Sequence, residues 1–236
     1  MSKLLVVLAL VVGFSMFTLL GAGEASAMNK GELIDAISNG PATPDGADLS
    51  KADAKRALDG FVTATSDALK KGDRISLVGF GSFSISKRAA RKLAEQDDLP
   101  PNDAGCLWLA SRAPDWIHGL FCTTSESELV DLMTAKPADG TPGLSRETAQ
   151  LFLERFKSVT TAQLVLRDFV EVEDFGTFSV KEGKGRRLNT VEFDVSPEFA
   201  ARVGRNPQTG KEIKIAANNK NVVKFKAGAD LSKKVN

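Results

Sequence analysis

LSKADAKRALDGFVTATSDALKKGDRISLVGFGSFSI occupies residues 49–85, and LSRETAQLFLERFKSVTTAQLVLRDFVEVEDFGTFSV occupies 144–180. Laid together at a constant offset of 95, without a gap, the two agree at 12 of 37 positions, among them Leu58/Leu153, Phe61/Phe156, Phe80/Phe175, Gly81/Gly176 and Phe83/Phe178. Upstream, Glu32-Leu33-Ile34-Asp35 is matched by Glu128-Leu129-Val130-Asp131. One unit is therefore written twice in 236 residues.

Each copy reads as helix, loop, helix, strands. Asn29 with Glu32, and Ser125 with Glu128, have the spacing of an N-cap and the residue that returns its hydrogen bond. The following loops, NGPATPDGAD and TAKPADGTPG, carry too much Pro and Gly to continue a helix. Ser50 and Ser145 then cap longer helices, in which Leu58, Phe61, Val62 and Leu69 recur at helical spacing. Beyond them, Ile75, Leu77, Phe83 and Ile85 alternate as strand residues do, and so do Val170, Val172, Phe178 and Val180.

The ends of the copies locate an interruption. TVEFDVSPEFAARV (190–203) lies over VVKFKAGADLSKKV (222–235), pairing Val191 with Val223 and Phe193 with Phe225. The second copy thus closes at Val203, and the segment from Gly204 onward is the displaced completion of the first. Four segments are expected: a leader at 1–27, an outer unit made of 28–92 plus 204–236, a linking or packing segment at 93–124, and an inner divergent unit at 125–203.

Joined across the interruption, VGFGSFSISKRAARK and GRNPQTGKEIKI resemble the HU/integration host factor family of bacterial histone-like DNA-binding proteins. The resemblance implies an α+β fold: a helical base and an antiparallel three-stranded sheet with a β-ribbon arm, here duplicated, the second copy inserted in the arm of the first. It implies binding to double-stranded DNA, largely independent of sequence, with the ribbon in the minor groove and Pro207 as the wedge that kinks the duplex. Lys87, Arg88, Arg91 and Lys92 would lie on one side of the ribbon, and Arg205, Asn206, Pro207, Gln208, Thr209, Lys211 and Lys214 on the other. Lys30 and Lys226 would be candidate phosphate contacts on the body. RNPQTG alone is also an ordinary turn sequence, and Lys30 and Lys226 also read as solvated surface lysines. The inner copy replaces its ribbon with KEGKGRRLN (181–189). In the family two subunits share the core, so either an intramolecular pseudo-dimer or a homodimer of outer copies is expected.

Charge separates the copies. Residues 28–92 with 204–236 hold 19 Lys/Arg against 10 Asp/Glu, whereas 93–203 hold 11 against 19. The overall +1 conceals this split. A basic unit attracts a polyanion and releases its counterions, and an acidic one repels it. An exported scaffold that binds a protein or an acidic polymer is the competing function.

Lys3, the uncharged stretch Leu4–Leu20 and Ala25-Ser26-Ala27 have the form of a cleaved secretory leader, with an uncleaved anchor as the alternative. Met28-Asn29-Lys30 also resembles a family N-terminus, so export and a nucleoid location with translation starting at Met28 both stand. Cys106 and Cys122 form a disulfide if the compartment is oxidising, and otherwise remain buried thiols. Trp108, Trp116, Ile117, Leu120 and Phe121 are expected to pack against one copy or the other. His118 is the sole histidine, Cys-x-x-Cys is absent and Gly79-Phe80-Gly81-Ser82 lacks a dinucleotide fingerprint. No enzyme, cofactor, metal site or small-molecule substrate is expected.

Overall fold

The computed structural model describes residues 27–40, 48–94, 101–135, 143–204 and 222–236. In chain order its elements are β1 (Ala27–Met28), α1 (Lys30–Ser38), α2 (Lys51–Lys70), β2 (Arg74–Leu77), β3 (Gly81–Ile85), α3 (Lys87–Ala94), α4 (Pro101–Arg112), α5 (Asp115–Phe121), β4 (Thr123–Thr124), α6 (Glu126–Thr134), α7 (Arg146–Val165), β5 (Phe169–Val172), β6 (Gly176–Lys181), β7 (Thr190–Val195), α8 (Pro197–Val203), β8 (Val223–Ala227) and α9 (Ala229–Lys234). The leader lies outside the described residues apart from Ala27. Among the described residues no helix is long and apolar enough to cross a membrane.

Local chemistry sets the helix starts. The Asn29 side chain accepts from the Glu32 amide at 3.0 Å, and the Glu32 carboxylate accepts from the Asn29 amide at 2.9 Å. Ser125 and Glu128 close the same box at 3.3 and 2.7 Å. Ser50 and Ser145 cap α2 and α7 by accepting from Asp53 and Thr148.

The sheets have the orders β4-β2-β3-β8 and β1-β5-β6-β7. β8 pairs antiparallel with β3, Phe225 opposite Phe83 and Val223 opposite Ile85. Three antiparallel strands were expected in each. The fourth is a dipeptide contributed by the other half of the chain: β1 lies parallel to β5, and β4 parallel to β2. The helices are equally reciprocal, with α1 against α7, α6 against α2, α8 against α2 and α9 against α7.

One core results. Phe61, Phe80 and Phe83 are buried together with Phe152, Phe156, Phe175, Phe178 and Phe199. Rings at matching positions of the repeat touch each other: Phe61 and Phe156 are 5.3 Å apart, Phe83 and Phe178 6.2 Å. Gly81 and Gly176 leave room for the rings of Phe225 and Phe193 on the adjacent strands, since a Cβ at either would meet that ring at under 3 Å.

Two expectations are corrected. The run containing Lys87, Arg88, Arg91 and Lys92 is helix, not ribbon strand. The ladder ends where the Ser86 amide donates to the Val222 carbonyl at 2.8 Å, and Ser86 then turns the chain, its hydroxyl accepting from the Ala89 amide. Ala, Lys, Arg and Leu favour a helix, and Ala89, Ala90 and Leu93 give it a buried side. Second, most of the aromatic segment stands out in solvent, with Trp108 53%, Trp116 71%, Leu120 69% and Phe121 70% exposed. The α4–α5 hairpin is joined by the Cys106–Cys122 disulfide and buries Leu107, Ala110, His118 and Cys122. Helices this short have one inward side, so the remaining apolar residues project.

Candidate nucleic-acid interface

Strand alternation divides each sheet into an inner and an outer face. In the β4-β2-β3-β8 sheet, Ile75, Leu77, Phe83, Ile85 and Val223 point into the core, which leaves Arg74, Ser76, Ser82, Ser84, Lys224 and Lys226 on the other side. Lys224 and Lys226 are exposed. Arg74 is held across the sheet by donating to the Ser82 hydroxyl at 2.7 Å.

The other sheet repeats the geometry with the opposite sign. Val191, Phe193 and Val195 are buried, while Glu192 and Asp194 are exposed. By the alignment of the two tails, Glu192 stands where Lys224 does and Asp194 where Lys226 does. A recess at the β5–β6 turn is lined by Glu171, Glu173, Asp174, Asp194 and Glu198, with no Lys or Arg among the described residues that line it. Lys181, at the end of β6, is paired with Glu192 at 3.0 Å.

Next to the basic face, α3 turns Lys87, Arg88 and Arg91 to solvent and leaves Lys92 half-buried. Lys87 and Lys226 line one recess together with Arg74 and Lys224. Lys30 lies apart from them, bound to Asp59 at 3.3 Å in a mixed-charge recess with Glu173, Asp174 and Arg202. Arg205, Asn206, Pro207, Gln208, Thr209, Lys211 and Lys214 lie outside the described residues. Arg74 and Lys224 escape a reading of the sequence for DNA contacts, although their places in strands with apolar residues alternating inward are the available signal.

The hairpin borders this face. Its disulfide draws α5 back toward α4, and the His118 Nε2–H donates to the Gly72 carbonyl at 2.6 Å. The Arg74 amide donates to the Cys122 carbonyl at 2.9 Å. Gly72 has φ +88°, and a Cβ there would meet the Leu107 backbone at 2.6 Å. Arg167, at the matching position of the second copy, also has positive φ and is exposed.

Residues 28–95 and 124–236 match the family described as Bacterial DNA-binding protein. DNA-binding protein HU-beta of Escherichia coli K12 is 50% identical over 64 residues, which is 27% of this chain and 64% of that protein. HU-beta of Serratia marcescens is 52% identical over 64 residues, with the same shares. DNA-binding protein HU of Neisseria meningitidis serogroup B is 49% identical over 65 residues, 28% of this chain and 66% of that protein. The chain thus spans just under two thirds of the length of these relatives.

Proposed function

The chain belongs to the bacterial DNA-binding protein family, and from that premise we propose that it binds and bends double-stranded DNA as a pseudo-dimer built within one polypeptide. In this reading the outer unit is 28–92 with 204–236, the inner unit is 125–203, and 93–124 is an inserted, disulfide-closed segment. The observation that carries the nested reading is the register of β8 on β3, with Phe225 opposite Phe83, although residues 86–222 separate the two strands in the chain. The β1–β5 pair and the shared phenylalanine core support the second unit as the internal partner, and the β4–β2 pair ties the last two residues of the inserted segment to the outer sheet. Covalent linkage replaces a bimolecular encounter with an intramolecular one.

DNA meets the basic half. Lys87, Arg88 and Arg91 on α3, with Lys226 and Lys224 on β8, supply phosphate contacts, joined by Lys92, Arg205, Gln208, Lys211 and Lys214. Asn206, Pro207 and Thr209 form the turn that enters the minor groove and kinks the duplex, as in the family. Lys30 contributes least, because Asp59 already holds its ammonium group. The helical course of 87–94 puts a cationic helix where the first side of a two-stranded arm would run.

Gel shifts on nicked and intact duplexes over a salt series test this reading. Binding at low salt that weakens steeply as salt rises is expected. Arg205→Ala with Pro207→Ala should reduce bending, read by end-to-end energy transfer, more than it reduces affinity. Absence of a shift at about 50 mM salt, where counterion release is strongly favourable, refutes DNA binding. Sedimentation at micromolar concentration should give the mass of one chain, and a stable two-chain mass refutes the internal pairing.

A further inference from the structure

Where the α4–α5 hairpin leans over the outer face of the basic sheet, it encloses a recess of about 240 Å³. The floor is Arg74, Ser82 and Ser84, one wall is Lys224 and Lys226, and Lys87 closes the α3 side. Ala110 and His118 come from the hairpin above, and among the described residues Asp115 is the one carboxylate on the rim. Asp115 is 89% exposed and its nearest oxygen is 3.9 Å from the Lys87 ammonium, so it offsets little of the positive charge. The His118 Nε2 is committed to Gly72, while Arg74 spends one of its five N–H donors on Ser82.

We propose that this recess is a binding site for a small, multiply charged oxyanion of phosphate or pyrophosphate type. Four cationic side chains and two hydroxyls converge on a space below the roughly 300–1,000 Å³ of a site for a drug-sized ligand. That size suits one or two phosphoryl groups and no attached base. Arg74 offers a planar fork and the lysines offer point charges, the combination that recognises phosphoryl oxygens. The inserted hairpin supplies Ala110, Asp115 and His118 of the enclosure, and on the opposite sheet Glu192 and Asp194 stand where Lys224 and Lys226 do, so the corresponding surface there is acidic.

The same chemistry could be presented by a free anion or by a phosphate of a nucleic-acid backbone, and the test separates them. Both tryptophans, Trp108 and Trp116, stand on the hairpin that roofs the recess, so intrinsic fluorescence reports on this segment alone. Pyrophosphate titrated into the oxidised full chain at low, constant ionic strength should change that fluorescence saturably, whereas matched sodium chloride should not. Arg74→Gln with Lys224→Gln should weaken the response roughly tenfold or more, the scale of losing charge-assisted hydrogen bonds. Asp115→Asn should strengthen it. Ala110→Leu fills the recess from above without changing charge, and should abolish pyrophosphate binding while the circular dichroism of the fold is retained. If Ala110→Leu leaves duplex affinity intact, the ligand is a free anion; if duplex competes with pyrophosphate and loses affinity in that variant, it is a backbone phosphate. No saturation, or saturation indifferent to both Ala110→Leu and the Arg74/Lys224 pair, overturns the proposal. A chain that binds pyrophosphate but never shifts DNA would keep this site and lose the DNA-binding reading, so the two fail separately.

Discussion

The guanidinium of Arg155 donates to the carbonyls of Ile37 at 2.9 Å and Ser38 at 3.1 Å, closing the C-terminal end of α1 with a side chain from the other half of the chain. That end of α1 has no basic residue of its own, and its terminal carbonyls carry the negative end of the helix dipole. Arg155 is 5% exposed, so the contact is made away from bulk water. The matching position in α2 is Gly60, which packs against Leu144 and the Met133 carbonyl without a side chain. Arg155→Ala should therefore destabilise the whole chain by about 2–3 kcal/mol, the cost of stranding buried acceptors and losing a charged donor. Urea unfolding would measure it, with Arg155→Lys recovering part of the loss.

The shared core predicts one unfolding event for both copies. Phe83 lies 5.4 Å from Phe193 and 5.5 Å from Phe175, rings that belong to the second copy. Phe83→Ala should cost about 3–5 kcal/mol and lower the transition of every element together. Calorimetry that resolved two independent transitions, only one of them displaced, would contradict a common core.

Much of this arrangement is legible in the sequence because its determinants are local or periodic. The caps at Asn29, Ser50, Ser125 and Ser145 need only their neighbours three positions on. The pairing of Phe225 with Phe83 follows from a repeat whose tail appears twice. The basic run at 86–92 misleads because Ala89, Ala90 and Leu93 suit a helix as well as the resemblance suits a ribbon. Which state wins depends on long-range pairing, which local preference does not encode. Exposure of Trp116 and Phe121 is illegible for a related reason: composition shows that residues are apolar, not which side of a short helix has a body to lie on. The recess around Arg74 and Lys224 exists only once the hairpin is placed over the sheet.

The disulfide should hold the hairpin more than it holds the core. Cys106 and Cys122 are 16 positions apart, and a loop of that size contributes roughly 3 kcal/mol in the chain-entropy account. Reduction, or Cys106→Ser with Cys122→Ser, should raise hydrogen exchange through α4 and α5 while β3 and β6 stay protected. Gly72→Ala should act similarly, since its Cβ would strike the Leu107 backbone at a position that also requires positive φ.

Acid should loosen the start of α6. The Ser125 amide, and then its hydroxyl, bond the Glu128 carboxylate and hold its pKa below the ordinary glutamate value. A depressed folded-state pKa means that the stabilisation is complete above the unfolded value and disappears as pH falls through the folded one. Stability measured from about pH 6 downward, a range that begins above the ordinary glutamate value of about 4.3, should therefore decline more steeply in the wild-type chain than in Glu128→Gln. Ser125→Ala should cost about 1 kcal/mol at neutral pH, the usual worth of an N-cap.

Charge at two pairs of matching positions should decide which face of the molecule meets DNA. Lys224 and Lys226 on β8 and Glu192 and Asp194 on β7 occupy equivalent, exposed places on the two sheets. Reversing the first pair, Lys224→Glu with Lys226→Glu, should weaken duplex binding and flatten the dependence of log affinity on log salt by about 0.9 for each phosphate that is no longer neutralised. Reversing the second, Glu192→Lys with Asp194→Lys, should strengthen binding and steepen the same plot, because it removes repulsion and frees Lys181 from its 3.0 Å pair with Glu192. The substitutions are on solvent-facing strand positions, so the fold should tolerate both. Equal salt slopes in the wild-type chain and the two variants would mean that neither sheet face lies within reach of the backbone phosphates, and would move the binding surface to α3 and the 204–222 connection alone.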